Sequence, residues 1–81
     1  PSTVDPFDPA VLAALDAASD RPELLIIGTG REHQRPPAAF LEQCAQRALA
    51  AESMDTGAAC RTFNLLLVED RRVSALLVAL P

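Results

Sequence analysis

Two short runs have residue types suited to chemistry, Gly28-Thr29-Gly30 and Asp55-Thr56-Gly57, each setting a threonine hydroxyl beside glycine. Glycine lets backbone amides approach a ligand closely, and a threonine hydroxyl can both donate and accept. Arg61 and Thr62 follow the second run, while Arg31, His33 and Arg35 follow the first. Amides, hydroxyls and guanidinium groups gathered at one place would hold a small anion such as a phosphate or a carboxylate. The same residues have a plainer reading. The glycines then only allow tight turns, Asp55 caps a helix, Arg31 and Arg35 are solvated, and Arg61 pairs with an acid such as Asp55.

Cys60 lies in the first turn of an expected helix and next to Arg61, a setting that can activate a thiol as nucleophile or redox sensor. Against this, Cys is usually buried and Ala59 beside it suggests tight packing, which favours structural filler for Cys60 and also for Cys44. Neither glycine run is a cofactor motif. The first lacks the third glycine of a dinucleotide fingerprint, and the chain has no Lys with which to build a phosphate-binding P-loop. His33 is the single histidine and no Gly-x-Ser-x-Gly elbow is present, so a hydrolytic triad has no support. Glu52 and Asp55 can be imagined sharing acid and base roles, but capping explains Asp55 with fewer assumptions. Zinc-ligand spacing is absent, and no metal or cofactor is expected.

These residues need elements to position them. Asp8-Pro9 reads as a helix start, with Val11, Leu12 and Leu15 on one face and an end near Ser19 to Pro22. Leu24 to Ile27 is an unbroken aliphatic run stopped by glycine, the pattern of a strand buried on both faces in a parallel sheet. After a polar loop from Arg31 to Pro36, a second helix opens at Pro36-Pro37 and turns Phe40, Leu41, Cys44, Ala45 and Ala48 inward, ending at about Ala51. A short extended piece at Glu52 to Met54 leads to Asp55, which caps a third helix beginning close to Ala58, with Ala59, Phe63, Leu66 and Leu67 at helical spacing. Val73 to Leu80 closes the chain as a strand. In such a layered α/β order the turns after the strands gather at one sheet edge, which would bring Gly28 to Gly30 beside Asp55 to Gly57.

The chain has 81 residues, enough for one domain with a small core, since 49% hydrophobic content is largely alanine and the aromatics are only three Phe. It opens on Pro1 in an extended stretch and is expected to continue upstream in the native protein. With 11 acidic and 7 basic residues, net charge is −4, which argues against nucleic acid or an anionic membrane as partner. All the basic residues are Arg, a bias that, with the alanine content, suggests a bacterial genome rich in G and C. Two cysteines make no disulfide framework and fit a reducing, cytoplasmic compartment. The longest apolar run, Val73 to Leu80, is far shorter than the roughly 20 residues of a membrane span, so the visible chain reads as soluble.

The run Leu24-Leu25-Ile26-Ile27-Gly28-Thr29-Gly30, with Met54-Asp55-Thr56-Gly57-Ala58-Ala59-Cys60-Arg61-Thr62-Phe63-Asn64 one helix later, resembles the Mth938-like domain family, a domain of unknown function. The chain departs from the family pattern at Glu32 to Pro37 after the first turn and at Glu69-Asp70-Arg71. The resemblance implies a three-layer α/β/α fold over residues 1–81, corresponding to the C-terminal two-thirds of a single domain whose N-terminal strand region lies upstream. It implies no established reaction; the family includes a mitochondrial respiratory complex I assembly factor. A complex-assembly or protein-interaction role follows by that analogy, beside the alternative of a small-anion-binding protein or enzyme at the carboxyl ends of the strands.

Overall fold

The computed structural model describes residues 5–17 and 22–79. Its elements run α1 (Pro9–Asp16), β1 (Leu24–Gly28), α2 (Ala38–Gln46), β2 (Ala50–Met54), α3 (Thr56–Val68) and β3 (Val73–Leu77). The three strands form a parallel sheet in the order β2-β1-β3, with Ile26 opposite Glu52 on one side and Ala75 on the other. The position of β1 explains its composition. A central parallel strand is covered on both faces, and Leu25, Ile26 and Ile27 are all 1% exposed or less. Leu25 and Ile27 face a cluster of Phe7, Leu12, Phe40, Cys44 and Leu49, supplied largely by α1 and α2. Phe7 meets Phe40 edge to face at 5.5 Å between ring centroids. Period-two alternation sends Ile26 and Gly28 to the other face, where α3 lies across β1 and β3 and buries Ala59. The result is the layered α/β arrangement expected from the residues and, with helices on both faces, the three-layer α/β/α fold that the resemblance implied.

Capping follows the sequence closely. Asp8 accepts from the Ala10 amide at 3.0 Å with Pro9 at the first helical position. Asp55 accepts from the Ala58 amide at 2.9 Å, so α3 begins at Thr56, two residues before the expected start. Helix ends differ more. α1 stops at Asp16, short of the Ser19 to Pro22 region, of which residues 18–21 lie outside the described structure. β3 ends at Leu77 rather than Leu80, and residue 80 also lies outside it.

The largest correction is α2, which ends at Gln46 rather than about Ala51, leaving Ala50 and Ala51 to open β2. Ala48 takes φ +52°, its amide donates to Ala45 and the Leu49 amide donates to Cys44, a left-handed reversal that turns the chain toward the sheet. Alanine propensity for helix is overridden by pairing with β1. α2 turns only Phe40 and Cys44 fully inward, as expected of those two, while Leu41 and Ala45 on the helix and Ala48 in the reversal are exposed. Leu67 of α3 is likewise 50% exposed, while Ala59, Phe63 and Leu66 turn at least partly inward. Because alanine is strained at positive φ and glycine is not, Ala48→Gly is expected to stabilise the fold by about 0.5–1 kcal/mol, read as a higher urea midpoint.

Among the described residues, two ion pairs tie neighbouring elements within a layer. Arg47 grips Asp16 through Nε and Nη2 at 2.9 and 2.8 Å, joining the ends of α1 and α2. Arg71 donates from Nε to Glu23 at 3.0 Å, linking the entrances of β3 and β1. That bond, with the nearby Arg71 and Arg72 charges, holds the Glu23 carboxyl below the usual range. The pair's contribution is therefore present at neutral pH and fades as pH falls through that lowered value.

Candidate functional site

The carboxyl ends of the strands bring the two glycine-threonine runs together through a closed set of hydrogen bonds. The Thr29 amide donates to the Met54 carbonyl at 2.9 Å, and the Thr56 amide donates to the Gly30 carbonyl at 2.8 Å. Thr56 Oγ1 accepts from the Gly30 amide at 2.8 Å and donates to the Val78 carbonyl at 2.7 Å. The Val78 amide returns to the Gly28 carbonyl at 2.8 Å. One hydroxyl thus clasps the exits of β1 and β3 to the start of α3. Thr29 Oγ1 accepts from the Gln34 amide at 3.0 Å, donates to the Glu32 carbonyl at 2.6 Å and lies 3.2 Å from the Met54 carbonyl, folding the following loop back on the turn.

This wiring changes the meaning of the candidate residues. Thr29 and Thr56 are only 5% and 7% exposed and their hydroxyls are committed inward, so neither presents an oxygen to a ligand. Gly28 is required by packing: a Cβ there would lie 3.0 Å from Thr56 Cα, Thr56 Oγ1 and Leu77 Cδ2. Gly30 has φ +94°, a left-handed conformation that disfavours side chains. Thr62, in the second turn of α3 and partly buried, sits about 9 Å along the helix axis from Thr56 at 1.5 Å per residue, so it does not join the cluster.

What remains for an anion is narrower than the sequence suggested. The Gly57 amide, in the first turn of α3, has no acceptor among the described residues. Arg61 Nη1 lies 3.5 Å from the point a Gly57 Cβ would occupy, so the guanidinium arches over the bare glycine. Arg61 forms no ion pair among the described residues, and the Asp55 carboxylate is used by the Ala58 amide; the expected Arg61 to Asp55 pair is not formed. Arg31 and Arg35 are exposed on the adjoining loop, as is His33, whose Nε2 is 2.8 Å from Ser53 Oγ. The site is therefore a helix N-terminus with one overhanging guanidinium and a partly basic rim. Sequence reasoning found the turns but missed the clasp role of Thr56, because the Val78 carbonyl it needs is 22 residues away.

The two thiols are opposites. Cys44 is 2% exposed, and burial pushes its thiol upward, with the Arg47 charge acting the other way. Cys60 is exposed on α3, which corrects the reading of it as core filler: the inward face of that turn is taken by Ala59. Iodoacetamide on the native protein is expected to label Cys60 alone, with Cys44 reacting only after unfolding; mass spectrometry of the labelled peptides checks this. No group of His, Cys, Asp or Glu among the described residues is placed to hold a metal ion.

The pattern that closes this edge, threonines in both turns with glycines where the strands and α3 crowd, lies within residues 2–78, over which the chain matches a known family. The sequence profile of DUF498, described as a protein of unknown function (DUF498/DUF598), matches residues 2–78. The chain belongs to this family. Its DUF498 fold is shared with a solved Bordetella pertussis protein described as a Mth938-like domain, at 37% identity and a TM-score of 0.68, covering 74% of this chain and 38% of that one. The Danio rerio protein named NADH dehydrogenase [ubiquinone] 1 alpha subcomplex assembly factor 3 is 42% identical over 59 residues, 73% of this chain and 34% of the relative. A Francisella tularensis protein named 13 kDa major membrane protein is 37% identical over 57 residues, 70% of this chain and 46% of the relative. The chain thus spans less than half the length of these relatives. None of the described helices of this DUF498 member is long and apolar enough to cross a membrane.

Proposed function

We propose that this protein is a non-enzymatic protein-interaction module that takes part in assembling a larger complex. The observation that carries the reading is the 42% identity, across 73% of the chain, to a protein named as an assembly factor. The partner is then a protein rather than nucleic acid, in keeping with a net charge of −4. The two free cysteines agree with a reducing, cytoplasmic setting. Affinity capture of the tagged protein from its native host, after mild cross-linking, tests this. Reproducible recovery of the same complex subunits supports the assembly reading, and recovery of no stable partner overturns it.

A second reading is favoured by one specific feature, the unpaired Arg61 over the free Gly57 amide. In it, the edge formed by Gly28 to Gly30 and Asp55 to Gly57 binds a small anion, with Arg61 and the Gly57 amide as the contacts and Thr29 and Thr56 as their support. A thermal-shift series with phosphate, sulfate and small carboxylates checks it. A ligand at a hundred times its Kd stabilises a fold by about 2.7 kcal/mol, and that gain is expected to vanish in Arg61→Ala. Equal shifts in both proteins, or none in either, would exclude this anion site.

A further inference from the structure

We draw no further inference here: the strongest candidate, the exposed apolar stripe of Leu65 and Val68 on α3, is an unpartnered face, and nothing in the structure shows what covers it.

Discussion

Gly28→Val is expected to produce the largest loss of stability of any substitution at the sheet edge. Gly28 ends β1 directly beneath the first residue of α3, and a Cβ there would already stand 3.0 Å from Thr56 Cα. Leu77 Cδ2, the other close atom, is the tip of a flexible, 43% exposed side chain and can turn away. The helix backbone cannot turn away, because the Thr56 amide and hydroxyl bind it to Gly30 and Val78. Overpacking of a fixed site costs about 1–3 kcal/mol, so Gly28→Ala belongs in that range and the branched Val at or beyond its upper end. For a chain of this size, with total stability of about 4–12 kcal/mol, that loss is a large fraction. Urea unfolding followed by circular dichroism measures it; a midpoint unchanged in Gly28→Val would show that α3 is not held against β1 as described.

Thr56→Val carries the second large effect. Valine keeps the shape of threonine while removing the hydroxyl, so the buried Gly30 amide loses its acceptor and the Val78 carbonyl loses a donor. Leaving a buried polar group unpaired costs about 1–3 kcal/mol, far more than the net worth of an ordinary exposed hydrogen bond. The expected result is destabilisation in that range, with faster hydrogen exchange at the Gly30 amide. Thr56→Ser, which retains the oxygen, should restore most of both. Loss of stability without faster exchange at Gly30 would point to packing around the valine methyl rather than to the clasp.

These two substitutions also bear on the functional readings. Arg61 reaches the edge only because α3 starts where Asp55 and Thr56 place it. Damage to the clasp is therefore expected to weaken any anion binding at Gly57 together with stability, whereas Arg61→Ala should weaken binding alone. Comparing the variants separates a contact from its support.

Much of this arrangement was legible in the linear chain. Leu24 to Ile27 is apolar at every position and branched aliphatic up to a glycine stop, the pattern of a short strand covered on both sides, and it became the centre of the sheet. Asp8 and Asp55 announced the starts of α1 and α3 because capping is local chemistry, needing only amides two or three residues away. The meeting of the two glycine-threonine turns also followed from chain order, since parallel strands release their loops at one edge.

Tertiary structure decided the rest wherever a long-range contact outweighed a local preference. Ala48 to Ala51 favours helix by itself, but pairing of Ala50 and Ala51 with Leu24 and Leu25 ends α2 early and draws those residues into β2. Cys60 and Leu67 are apolar enough for a core, yet α3 meets the sheet through Thr56 and Ala59, so its orientation leaves both outside. Thr29 and Thr56 have the residue types of a binding site, but the Val78 carbonyl, brought from just past β3, commits the Thr56 hydroxyl, and the loop that folds back through Glu32 and Gln34 commits that of Thr29. Local capping and apolar runs determined which elements form; where each helix ends, which face it buries and what each hydroxyl binds came from groups far apart in sequence.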